Sequence, residues 1–320
     1  MLRELFDDVV AEIARIDPTG VSAASYRQRR IKRLFNSIEA LTGKAFDEEF
    51  KLLRHDLAGI GKHQALWAAD QLAGTIGAVD IAISRGGLGV NTMKAILDAD
   101  PFQGETLKGW VKSGRGAASR RIRRAIQIGM TENDTLDQIV RRIRGRSNGR
   151  GGFVGGAMRT TTREAEALAR TGVNFIATRG HMLTYEQNAD VLSGVKFTAT
   201  LDGDTSLRCR ALDTNVFKLD DPDKPQFPLH WRERSVYTPV VDWEGLGLEP
   251  PKEGMRASAD GQVPASTSYS DWFRNQSKAE QDRIIGPARA QLFRDGKISF
   301  RDMVAGDGRT LTLEELEAKG

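Results

Sequence analysis

The amino-acid sequence predicts an α+β protein: a largely helical N-terminal half, a small α+β segment with short strands, and a helical C-terminal tail. Two observations carry this. Apolar residues recur at helical spacing through most of residues 1–189, and the period then changes to two in the stretch KFTATLD, where Phe197, Ala199 and Leu201 alternate with Thr198 and Thr200. Helix-start signals return after residue 268.

Residues 1–100 form a helical region in this reading. Leu2, Leu5, Phe6, Val9, Val10 and Ile13 share one face of a first helix, which Pro18 and Gly20 close. A second helix, about 22–43, carries the stripe Ile31, Leu34, Phe35, Ile38 and Leu41 and stops at Gly43. A third, about 46–80, runs through Phe46, Phe50, Leu53, Ala65, Leu66 and Leu72 with a break near Gly59 and Gly61. Gly86, Gly87 and Gly89 mark a turn; RGGLGVNT lacks the lysine and the preceding buried strand that a phosphate loop requires.

Residues 101–150 read as a basic helical pair. Ala118, Ile122, Ala125 and Ile126 line one face of a helix ended by Gly129, and Arg120, Arg121, Arg123 and Arg124 cover its other faces. Thr135 and Gln138 have capping-box spacing before the stripe Leu136, Ile139, Val140 and Ile143, from which Arg141, Arg142 and Arg144 point away. Between Lys112 and Arg150 the net charge is +8, which leaves about −4 for the rest of a chain whose total is +4. Such a patch suits a phosphate backbone or an acidic protein surface, and charge alone does not choose between them. A helix-turn-helix reader of DNA bases is disfavoured, because arginines encircle both helices and base-reading polar side chains are scarce.

Residues 145–157 (GRSNGRGGFVGGA) read as a linker or surface loop, and a helix follows from Arg159 to about Ala189. Short strands are expected at 197–201, 215–218 and 235–241, the last two separated by the loop DDPDKPQFPLH. Residues 245–268 lack an apolar period and are expected to form an extended linker. In the tail, 269–320, Ser277 with Glu280 and Thr312 with Glu315 have capping spacing, and Trp272, Phe273, Phe293 and Phe300 are too apolar to stay solvated. The expected organisation is therefore 1–100, 101–150, an α+β domain at 151–244, a linker at 245–268 and a tail at 269–320.

The ordered blocks RTTTREAEALARTGVNFIATRG, GVKFTATLDGDTSLRCRALDTNVF and FPLHWRERSVYTPVV resemble the head morphogenesis domain of phage minor head proteins, the group that includes the F protein of phage Mu. The resemblance extends over about 118–241, and QLFRDGK in the tail is similar to a segment that often follows the domain. It implies a minor structural and assembly component of a tailed-phage head near the portal vertex. Portal protein, major capsid protein and scaffold are the implied partners, with contact to packaged DNA and a role in packaging or delivery. It implies a virion location after assembly in the host cytoplasm, no cofactor and no catalytic role. The absence of any run of about 18 apolar residues agrees with a chain that does not enter a membrane.

Within the motif, Asp202, Asp204, Cys209, Asp213, His230 and Arg234 are expected to be structural. Carboxylates in the two turns accept main-chain N–H groups, Arg208, Arg210, Arg232 and Arg234 pair with them, Cys209 is a small buried group, and His230 hydrogen-bonds the aspartate turns. Where many family members carry further cysteines, this chain has Ser206 and Glu233, so a zinc set shrinks to Cys209, His230 and Glu233. Cys209 is the single cysteine, which excludes an intrachain disulfide. Two other readings stand beside the structural one: a metal-dependent nuclease or hydrolase using Asp202, Asp204, His230 and Glu233, and a DNA-binding protein using the arginine patch. Ser206 is not set in a Gly-x-Ser-x-Gly elbow, and His55, His63 and His181 lie in helical surroundings without a carboxylate site.

Overall fold

The computed structural model describes residues 2–16, 24–77, 80–147 and 153–318. The described residues are mixed α and β, with a helical N-terminal half and small antiparallel sheets. They divide into two compact units: Met1–Gly61 with Gly89–Ile176 and His230–Arg232, and Lys62–Leu88 with Ala177–Leu229 and Glu233–Gly320.

The first unit is helical. It contains α1 (Leu2–Ile16), the first part of α2 (Ala24–Ile76), α3 (Val90–Ala99), α4 (Leu107–Thr131), α5 (Leu136–Arg144) and the first part of α6 (Ala157–Gln187). Its core gathers Leu5, Val9 and Ile13 from α1, Leu34 and Ile38 from α2, Ile122 and Ile126 from α4, and Ile139 and Ile143 from α5, all buried. These are the stripes that the helical period marks out. Thr42 and Ser119 cross the core as a buried hydroxyl pair at 2.6 Å, and Thr42 also donates to the carbonyl of Ile38. At the start of α5, Thr135 and Gln138 form the expected capping box.

Four glycines that read as helix stops or as a break are instead inside helices. α2 continues through Gly43, Gly59 and Gly61, and α4 passes Gly129. A glycine lowers helix stability by about 1 kcal/mol, which tertiary contacts readily offset. At Gly61 an added Cβ would lie 2.6 Å from Ile176 Cγ1 and 2.9 Å from Met93 Sδ, so close packing requires the missing side chain. A Cβ added at Gly129 would likewise lie 2.6 Å from Ile139 Cγ1, and one added at Gly43 would lie 3.0 Å from Arg115 Nη2. Spacing along one helix carries no trace of the neighbour that fills the gap. Pro18 and Gly20 lie outside the described residues, as does the middle of the 145–157 stretch. Flanking that middle, β1 (Arg146–Ser147) pairs antiparallel with β2 (Phe153–Val154).

In the second unit, β3 (Leu192–Thr198) is the centre of a three-stranded antiparallel sheet, between β4 (Val216–Phe217) and β5 (Val236–Val241). Phe197 sits opposite Tyr237 and Val195 opposite Phe217. One core lies against this sheet: Phe197 stacks on Phe227 at 5.2 Å, Tyr237 meets both rings edge-on, and Leu72, Met182 and Val195 complete it. Short α7 (Leu207–Leu212) is capped by Ser206.

A second core in the same unit belongs to the tail. It consists of α8 (Tyr269–Arg274), α9 (Lys278–Ile285), α10 (Pro287–Arg294) and α11 (Leu313–Glu317). Tyr269, Trp272, Phe273, Phe293 and Phe300 pack with Leu201 of the TLD turn and with Leu207 and Ala211 of α7. Ser277 caps α9, and Thr312 with Glu315 forms a capping box. Part of the 245–268 stretch, expected to be an extended linker, is a hairpin of β6 (Met255–Ser258) and β7 (Gly261–Pro264). Its apolar content is too low to show a period, and Arg256 anchors the hairpin by hydrogen bonds instead.

Candidate functional site

The end of β3 leads into two aspartate turns. In the first, the Asp204 amide donates to Asp202 Oδ1 at 3.0 Å, and the Thr205 hydroxyl donates to Asp202 Oδ1 at 3.0 Å and to the Thr200 carbonyl at 2.6 Å. A short polar side chain thus satisfies main-chain groups where the ladder ends. Arg234 grips the same carboxylate with both terminal nitrogens, Nη2 at 2.8 Å from Oδ1. Partial burial raises the Asp202 pKa, but the bonds from Arg234 outweigh it and hold the carboxyl below its usual range. Asp204 is exposed.

The second turn is more deeply set. The Asp213 side chain is 1% exposed and accepts four bonds: from the Ala199 amide at 2.8 Å, from the Tyr269 amide at 2.6 Å, and from Arg256 Nη2 at 3.1 Å and Nη1 at 3.3 Å. Arg256 also donates to the carbonyls of Ala199 and of Thr267, the latter at 2.8 Å. A buried carboxylate is stable only when charge and lone pairs are both met, and here they are. Asp213 therefore ties the end of β3, the β6 strand and the start of α8 to one side chain. The Tyr269 hydroxyl adds a bond to the Asp202 carbonyl at 2.7 Å, and the Arg210 guanidinium lies 5.1 Å from the Tyr269 ring centre.

Cys209 is buried beneath these turns. Its Sγ lies 3.0 Å from Ser206 Oγ and 3.4 Å from each Glu233 carboxylate oxygen. Burial, reinforced by the Glu233 charge, pushes the thiol up to about 12, so it is a neutral donor to the carboxylate. Glu233 Oε1 also accepts the amides of Arg234 at 3.1 Å and Ser235 at 2.9 Å. In this unit a zinc ion would find one thiol, a carboxylate already bonded to two amides, and serine where a second cysteine would serve, and serine is a poor zinc ligand. His230 is grouped with the other unit, where its Nδ1 lies 2.9 Å from the Trp231 carbonyl. A hydroxyl nucleophile at Ser206 is likewise committed, since Ser206 Oγ accepts the Cys209 amide at 3.3 Å.

The arginine patch in the first unit is not uniform. Arg121 forms a two-pronged pair with Glu164, Arg123 pairs with Glu39 and lies 5.6 Å from the Phe35 ring centre, and Arg142 binds both Glu132 and Asp134. The Arg144 guanidinium lies 4.9 Å from the Phe6 ring centre. Arg120, Arg124 and Arg141 are exposed, and among the described residues none of these three makes an ion pair. Glu39 and Glu164 are remote in sequence, so a count of neighbouring acids overstates the free charge.

Arg256 and Tyr269 escaped the sequence reading of the site. One signal was available: Asp260-Gly261 is a hairpin pair, and it places Arg256 on a strand.

Residues 119–235 match the model of a family described as phage Mu protein F like protein. The chain carries a Mu F-like segment. That segment is 117 of the 320 residues. No curated protein and no solved structure matches it. Both aspartate turns, α7 and the Cys209–Glu233 contact fall inside the Mu F-like segment, whereas the Arg256 and Tyr269 partners of Asp213 lie beyond its end. Among the described residues, no helix is long and apolar enough to cross a membrane.

Proposed function

We propose that the chain is a minor head protein that acts in head morphogenesis at the portal vertex, with the portal protein and the major capsid protein as partners, scaffold during assembly, and packaged DNA within reach of its exposed arginines. In this reading its place is the virion, reached after assembly in the host cytoplasm. The observation that carries it is the Mu F-like match over 119–235. The geometry of the motif supports a bracing role. Asp202 holds Arg234 and its own turn, Asp213 is saturated by four bonds, and Glu233 is bound to two amides and a thiol. Of the side chains a hydrolase would direct at substrate, Asp202 and Glu233 are here bound to main-chain amides and to neighbouring side chains.

Co-expression with the portal and major capsid proteins, followed by affinity capture, tests the partner assignment. Mass spectrometry of purified virions tests the location. Recovery with the portal and detection in particles are expected; absence from both would overturn the proposal. A phosphodiesterase assay with magnesium or zinc tests the rival reading, and activity lost in His230→Ala would establish it.

A further inference from the structure

A second cationic feature of the first unit lies outside the arginine patch. Phe50, Lys51, Arg54 and His55 of α2, Lys94 and Asp98 of α3, and Lys108 in the first turn of α4 line a concave cleft of about 560 Å³. Asp98 is the single carboxylate among these lining residues, and Arg54 occupies it, with Nε 2.6 Å from Oδ1. That bond draws the Asp98 carboxyl below its usual range, with the Lys108 charge as a further, smaller cause. Among the described residues, Lys51, Lys94 and Lys108 make no ion pair. Three helices thus direct three ammonium groups and an imidazole around one hollow whose acid is already neutralised. Lys108 stands at the amino end of a 25-residue helix, where the peptide dipoles add positive potential.

Like charges on separate helices repel, and a fold that gathers them leaves a field suited to a multiply charged anion. Lysine is a compact point charge on a flexible stem, able to meet phosphate oxygens from several directions, and three such groups around one hollow suit an anion that carries several charges close together. We propose that this cleft is a binding site for clustered phosphates, supplied either by a free oligophosphate such as a nucleoside triphosphate or by a nucleic-acid backbone.

The test is calorimetric titration of the full chain with tripolyphosphate, with ATP, with a short DNA duplex and with a polyglutamate peptide of equal charge. Tripolyphosphate or duplex is expected to bind more tightly than polyglutamate, and affinity is expected to fall steeply with added salt. Each of Lys51→Ala, Lys94→Ala and Lys108→Ala should weaken binding by about tenfold, the loss of one charge-assisted contact. An unchanged melting temperature in these variants shows that the fold is intact; should one variant melt early, Lys51→Gln or Lys94→Gln takes its place. Lys278→Ala, in the other unit, should leave tripolyphosphate affinity unchanged. Binding of tripolyphosphate and ATP assigns the free source, and binding of duplex alone, weakened by the same lysine variants, assigns the backbone. Absence of binding to any phosphate ligand, equal binding of polyglutamate, or affinity indifferent to the lysine variants would overturn the proposal.

Discussion

The Tyr269 amide donates to Asp213 Oδ2 at 2.6 Å, joining the first residue of α8 to a carboxylate 56 positions earlier in the chain. The same oxygen pair receives Arg256 from β6 and the Ala199 amide after β3. Replacing Asp213 by Ala leaves two amides and a guanidinium without their acceptor in a dry interior. A loss of about 3–5 kcal/mol is expected, read as a lower urea midpoint. Asp213→Asn keeps one acceptor oxygen and should lie between.

Gly61→Ala and Gly59→Ala should move stability in opposite directions. Nothing stands within 4 Å of a Cβ at Gly59, so alanine there is expected to add about 0.5–1 kcal/mol through helix propensity. At Gly61 the new methyl meets Ile176 and Met93, and a net loss of about 1–3 kcal/mol is expected. Paired melting curves check the sign.

His181 is buried, lies 2.9 Å from Gln64 Oε1 and packs beside Trp67 and Tyr185. Burial depresses its pKa from 6.5 to about 4. The unfolded chain therefore binds a proton that the folded chain refuses between these values, so stability should fall as pH drops from 6.5 toward 4, by up to about 3 kcal/mol. Urea titrations across that window should show the slope, and His181→Gln should flatten it.

Cys209 should resist alkylation at pH 8 in the native protein and react once the chain is unfolded, since its thiol stays neutral up to about 12. Its raised pKa has a thermodynamic counterpart. The unfolded thiol ionises near 9.0 and the folded one does not, so stability is complete below that pH and declines as pH rises toward 12. Rapid labelling of the native chain at pH 8 would contradict the packing described for Ser206, Cys209 and Glu233.

Arg121→Ala and Arg123→Ala should each lower stability by about 1 kcal/mol or less, because each breaks a half-exposed ion pair. Arg120→Ala with Arg124→Ala should leave the melting temperature unchanged and weaken capture of the portal protein or of DNA. Unchanged capture of both would remove these two arginines from the proposed contacts.

Much of this architecture is written in local pattern. The stripe Ile139–Ile143, the Thr135 box and the alternation through Phe197 depend on neighbours within a turn or a strand, and each recurs in the structure. What the pattern hides are partners brought from afar. Gly61 reads as a break because Ile176 is 115 residues away in sequence. Arg121 and Arg123 read as free because Glu164 and Glu39 are not their neighbours. Lys51, Lys94 and Lys108 form no run at all, so a charge scan passes over the cleft they line. In the motif itself the aspartates were legible as turn formers and Arg234 as one of four candidate partners, while the choice of Arg234 for Asp202, and Arg256 as the partner of Asp213, required the fold.

The anchoring of Asp213 sets a limit on how this gene can be shuffled. A crossover just after residue 235 would separate the carboxylate from Arg256 and Tyr269 and strand it in the interior. The stretch that must stay together to keep Asp213 paired is therefore longer than the segment that matches the family model, and it takes in the hairpin and the start of the aromatic tail.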